Sequence, residues 1–129
     1  MAGMEMRESM YNILICDDEK DIVNALKIYL NDSNYHFLEA FDGEEAVHMV
    51  ETNEVHLVLM DIRLPFHNGF YWCTEIRKVS KLPIIFVSSM NDNMNLVMAI
   101  NMGGDDFISK PFDLRVLMAK TVSYTHLTL

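Results

Sequence analysis

The sequence has little that would tie it to an oxidising compartment, a membrane or a nucleic acid. It holds two cysteines, Cys16 and Cys73, set apart in segments that read as a strand and a helix, with no CxxC and no disulfide framework. A reducing compartment suits them. No stretch approaches the roughly 18 consecutive apolar residues of a membrane span. Met1 to Met10 carries Glu5, Arg7 and Glu8 with no apolar core, so it reads as an extension that is neither secretory signal nor anchor, and a cytoplasmic location is expected. Ten Lys and Arg stand against 19 Asp and Glu, a formal net charge of -9. A face for binding a phosphate backbone is therefore not expected on this chain. The five histidines, His36, His48, His56, His67 and His126, are scattered without metal-ligand spacing such as HExxH and are read as ordinary residues.

What is present is one domain's worth of alternating structure. The 129 residues are 50% hydrophobic and 22% charged, as in a folded globular protein. Short apolar runs alternate with helical patterns, the signature of successive βα units around a parallel sheet. The strands are expected at Tyr11 to Cys16, Tyr35 to Ala40, His56 to Met60, Ile84 to Val87 and Asp106 to Ile108. Ile22, Val23, Leu26, Tyr29 and Leu30 form the apolar stripe of a first helix, and Phe70, Cys73 and Ile76 that of a third. A second helix is expected over about Glu44 to Glu51, a fourth over about Asn93 to Met102, and a fifth after Asp113, which has N-cap character. From Thr121 to Leu129 the sequence turns β-branched and leaves the helical pattern, so the last helix is expected to be cut short, the tail being either a cloning remnant or a native end.

In an open parallel sheet, ligand-binding residues collect at the carboxyl ends of the strands. Strand one ends in Asp17 and Asp18 with Glu19 behind them, strand three in Asp61, strand four in Ser88 and Ser89, and Lys110 follows strand five. Three carboxylates converging at one rim would repel one another unless a cation compensates them, and oxygen-only ligands select a hard ion such as Mg²⁺. Alone, the Asp17 and Asp18 pair reads more readily as a cap for the helix starting near Lys20 than as a metal site; Asp61, at the end of a neighbouring strand, favours the metal. A carboxylate can attack phosphorus when metal and cation neutralise the charge on the equatorial oxygens, with Lys110 as that cation and Ser88 as a hydroxyl donor.

These residues resemble the receiver domains of bacterial two-component response regulators, over roughly Tyr11 to Lys120. The likeness rests on ILICDDE, LVLMDIRLPFHNGF, PIIFVSS and GGDDFISKPF, the last most similar to regulators with winged-helix DNA-binding output domains. The resemblance implies a flavodoxin-like, doubly wound (βα)5 sheet of order 2-1-3-4-5, with residues 1–10 as an extension, 11–120 as the receiver and 121–129 as a tail. It implies phosphorylation of Asp61 by a sensor histidine kinase, and Mg²⁺ on Asp18, Asp61, the Arg63 backbone carbonyl and, through water, Asp17. Lys110 would pair with the phosphoryl group across a cis bond to Pro111. Ser88 and Phe107 would act as the switch that couples the site to the face of helix four, strand five and helix five. The chain would be a signalling switch rather than an enzyme, turning over only its own phosphoryl group, and any DNA contact would lie in an output domain outside it.

Arg63 stands where the family commonly has methionine, His67 and Asn68 where Met-Asp is frequent, and Ser89 where alanine is usual; altered dephosphorylation is expected from these. Helix four, with Met94, Leu96, Val97, Met98, Ile100 and Met102, is too apolar to hide every side chain, so a dimer or partner face is expected there. A phosphohydrolase of the haloacid dehalogenase type would want an acid where Arg63 stands, and a flavodoxin-like cofactor binder would not put the anionic CDDEKD loop at its phosphate site. A degenerate receiver serving only as an interaction module is the remaining alternative, and the intact acidic trio with Lys110 argues against it.

Overall fold

A computed structural model of the chain describes residues 10–89 and 93–127. Five strands alternate with five helices: β1 (Tyr11–Cys16), α1 (Lys20–Tyr29), β2 (Tyr35–Ala40), α2 (Gly43–Thr52), β3 (Leu57–Asp61), α3 (Gly69–Arg77), β4 (Ile84–Ser88), α4 (Asn93–Asn101), β5 (Asp106–Ser109) and α5 (Leu114–Leu127). The strands form one parallel sheet of order β2-β1-β3-β4-β5, the order the resemblance implied.

Successive strand residues point to opposite faces, so each central strand supplies two cores. Leu14, Cys16, Val58, Met60, Ile84 and Phe86 pack on one face with Ala46 of α2, Phe70, Cys73 and Ile76 of α3 and Ala99 of α4. Ile13, Ile15, Leu57, Leu59, Ile85 and Val87 pack on the other with Val23 and Leu26 of α1 and Leu117 of α5. Burying one such side chain contributes about 1.5–3 kcal/mol, which is why β3 and β4 read as unbroken apolar runs.

Local signals set the helix starts. Asp42 accepts the Glu45 N–H at 2.8 Å ahead of α2, Asn68 accepts the Tyr71 N–H at 3.0 Å ahead of α3, and Asp113 accepts the Arg115 N–H at 2.9 Å ahead of α5. The side chain of Glu19 makes no capping bond to α1; Asp17 instead accepts the Glu19 N–H, closing the loop that leads into the helix.

Three expectations are corrected. β3 begins at Leu57 rather than His56 and runs through Asp61, so the carboxylate belongs to the strand itself. Tyr29 is not on the core stripe: it is exposed, its ring edge-on to Phe112 at 6.4 Å, while Leu26 and Leu30 fill the inner face. α5 is not cut short but runs to Leu127. There Thr121 and Thr125 are buried, and their hydroxyls bond back to the Leu117 and Thr121 carbonyls at 2.8 Å each, which accommodates β-branched residues in a helix.

In α4, Ala99 faces the core while Val97, Met98 and Ile100 are exposed, as expected of so apolar a helix. The side chains of Met94 and Leu96 lie outside the described residues, as do residues 1–9 of the N-terminal extension and residues 128–129 of the tail. Among the described residues no helix is long and apolar enough to cross a membrane.

Candidate functional site: an acidic pocket at the strand ends

The pairing of β1 with β3 aligns Cys16 with Met60, so the residues that follow, Asp17 and Asp61, meet at the carboxyl rim of the sheet. Both are almost fully buried, whereas Asp18 is exposed at the mouth. One carboxylate oxygen from each of Asp17, Asp18 and Asp61 lies within 4.8 Å of the other two. Lys110 reaches in from the end of β5: its Nζ donates to Asp17 Oδ2 at 3.1 Å and stands 3.7 Å from Asp61 Oδ1. The Lys110–Pro111 bond is cis. The Lys110 N–H donates to the Ser88 carbonyl at 2.8 Å, which fixes the lysine beside the end of β4.

Three carboxylates and one ammonium leave two negative charges in the pocket. The consequence falls on Asp61. Burial raises its pKa from 3.8 to about 6 and the Asp17 charge adds to the rise, while Lys110 and the Arg63 backbone N–H oppose it. A divalent cation on the same oxygens would remove the repulsion, and an all-oxygen donor set with one ligand open to solvent suits a hard ion that keeps several waters. The residues present therefore fit Mg²⁺.

The structure brings together Asp17, Asp18, Asp61 and Lys110. Ser88 is wholly buried and closes β4 opposite Ser109. Phe107, half-buried in β5, packs against the core beneath α4 and lines a cavity of about 290 Å³ with Pro111, Val116 and Lys120. Arg63 and Ser89 are exposed on the rim.

Sequence reasoning missed two supports. Gly69 opens α3 so close to the end of β3 that a Cβ there would overlap the Asp61 carbonyl oxygen, and its N–H donates to the Ile62 carbonyl at 2.8 Å. The glycine is required by close approach rather than by its dihedral angles; its place just after Asn68 was the available signal. Arg77 donates to the Gly103 and Leu82 carbonyls at 2.8 and 2.7 Å and to Asp105 Oδ2 at 3.0 Å, tying the end of α3 to the loops that enter β4 and β5. No spacing in the sequence marks that network.

A family model for the response regulator receiver domain matches residues 13–122. The chain belongs to the response regulator receiver domain family. The receiver is 45% identical over 114 residues to the transcriptional regulatory protein YvcP of Bacillus subtilis (strain 168), covering 88% of this chain and 48% of that protein. It is 36% identical over 108 residues to the response regulator GraR of Staphylococcus haemolyticus (strain JCSC1435), covering 84% and 48%. The receiver thus spans about half the length of the curated relatives it matches. Among solved structures it is similar to the N-terminal domain of the nisin resistance regulator NsrR, at 47% identity and TM-score 0.79, covering 89% of this chain and 97% of that one. It also resembles a two-component response regulator from Clostridium difficile, at 32% identity and TM-score 0.85, covering 91% and 97%.

Proposed function

We propose that this receiver is a phosphorylation switch in which Asp61 accepts the phosphoryl group from the phosphohistidine of a sensor histidine kinase. One observation carries the reading: Asp61 is buried at the strand ends within 4.8 Å of Asp17 and Asp18 and 3.7 Å from the Lys110 ammonium. An Asp61 oxygen forms the new P–O bond as the P–N bond to the donor imidazole breaks. Lys110 turns from its carboxylates to the incoming phosphoryl oxygens, and Ser88 donates its hydroxyl to one of them. Asp17, Asp18, Asp61 and the Arg63 carbonyl would hold Mg²⁺, which would supply charge neutralisation.

Phosphorylation then acts through Ser88 and Phe107 on the face of α4, β5 and α5. That face carries exposed Val97, Met98 and Ile100 on α4 and exposed Val116 on α5, which lies beside Phe107 and Lys120. We assign it to phosphorylation-dependent pairing with a second copy. The relatives named as transcriptional regulators support a transcriptional output and a cytoplasmic setting, with DNA contact through a domain other than this one.

The test is intact mass after incubation with acetyl phosphate, with and without Mg²⁺. One added phosphoryl group is expected with Mg²⁺ in the wild-type chain and none in Asp61→Asn. A wild-type chain that gains nothing would instead be a receiver used only for interaction.

A further inference from the structure

The loop that joins β3 to α3 leaves the sheet at Asp61, the carboxyl end of β3, and is tightly folded. Leu64 and Gly69 both donate their N–H groups to the Ile62 carbonyl, at 3.1 and 2.8 Å, and His67 donates to the Pro65 carbonyl at 2.9 Å. That last bond spans a single residue, Phe66, whose φ is +69°. A turn of this kind with positive φ is rare and strained, and a bulky side chain adds to the strain because its Cβ crowds the backbone. The Phe66 side chain recovers nothing from the fold, being 100% exposed. Next to it, His67 stacks on Tyr71 with ring centroids 4.0 Å apart, which holds the following residue and the start of α3 in place. The outcome is an aromatic ring held out into solvent on a hydrogen-bonded loop, five positions beyond the phosphoacceptor.

A strained position with an exposed aromatic ring points to a partner outside the chain. The location selects the partner. A small phosphodonor can reach Asp61 past exposed Asp18, but a protein donor must lay a surface across the strand-end rim, which this loop adjoins. We propose that Phe66 is a docking residue for the phosphodonor protein, its ring entering an apolar recess of the histidine kinase domain that carries the phosphohistidine. The inference rests on the reading of Asp61 as phosphoacceptor. A rigid aromatic ring anchors such an interface at small entropic cost.

The experiment compares two donors on the wild-type chain, Phe66→Ala, Phe66→Gly and Phe66→Leu. One donor is acetyl phosphate; the other is the autophosphorylated cytoplasmic domain of whichever histidine kinase labels the wild-type chain fastest. Labelling by acetyl phosphate is expected to stay within about twofold in every variant. Transfer from the kinase, read as kcat/KM, is expected to fall at least about tenfold in Phe66→Ala and Phe66→Gly and to hold within about threefold in Phe66→Leu. Since glycine relaxes the backbone and alanine does not, equal losses in the two assign the effect to the ring. Unchanged kinase transfer in Phe66→Ala and Phe66→Gly overturns the proposal, as does a change confined to self-association in sedimentation. If acetyl phosphate and the kinase both fail to label Asp61 of the wild-type chain, the phosphoacceptor reading falls first and the docking role with it.

Discussion

Asp61 carries a charge that the metal-free fold holds at a cost, so neutralising it is expected to stabilise the chain. Its carboxyl is raised from 3.8 to about 6, by burial first and the Asp17 charge second. Between those two pH values the folded chain holds more protons than the unfolded one, so unfolding free energy falls as pH rises through the window. At pH 7.5 both states are ionised and the full difference of roughly two pKa units applies, about 3 kcal/mol at 1.36 kcal/mol per unit. Asp61→Asn keeps the shape and removes the charge. In the presence of a chelator it is expected to unfold about 3 kcal/mol harder in urea, or roughly 12 °C higher at about 4 °C per kcal/mol for a chain of this size. At pH 5, where wild-type Asp61 is largely protonated, the gain is expected to shrink to about half. Urea curves of the two chains at pH 7.5 and pH 5 read this directly. An Asn variant less stable than wild type, or a gain that does not change with pH, would refute the electrostatic reasoning.

Other consequences follow from the same geometry. Lys110→Met removes the ammonium paired with Asp17 and is expected to cost about 3–5 kcal/mol in metal-free urea unfolding at pH 7.5, because it leaves buried carboxylates uncompensated. Mg²⁺ at roughly 100 times its Kd is expected to stabilise the wild-type chain by about 2.7 kcal/mol in a thermal shift, and Asp61→Asn by much less. Arg77→Ala strands two carbonyls and Asp105 and is expected to cost about 3 kcal/mol, with no rescue by Arg77→Lys, which cannot span three acceptors; urea midpoints check both. Arg63→Met with Ser89→Ala is expected to change the aspartyl phosphate lifetime, followed by intact mass after donor removal, since both side chains stand exposed on the rim. An unchanged lifetime would clear those two residues of any part in water access.

The strand ends were the most legible part of the sequence, for a physical reason. Strands buried on both faces must be apolar throughout, so the polar residue that ends such a run stands out, as Asp17, Asp61 and Ser88 do. The sheet order then brings Asp17 to Asp61 with no further information needed. Tyr29 was misplaced because periodicity records a face of the helix, not how an aromatic ring finds Phe112 at its edge. The length of α5 was underestimated because β-branched residues lower helix propensity, yet Thr121 and Thr125 bond to the preceding turn and are buried there. Arg77 and Phe66 left no pattern at all. The first acts through carbonyl oxygens from distant loops, and the second matters for a dihedral angle that a Pro-Phe-His-Asn sequence does not announce.

Reductive trapping tests the central claim most directly. After incubation with acetyl phosphate and Mg²⁺, borohydride converts an aspartyl phosphate to homoserine, and peptide mapping then locates it. Homoserine at position 61 and nowhere else is the expected result. Trapping at another carboxylate, or none in a chain that folds and binds Mg²⁺, would contradict the assignment of Asp61 as the phosphoacceptor.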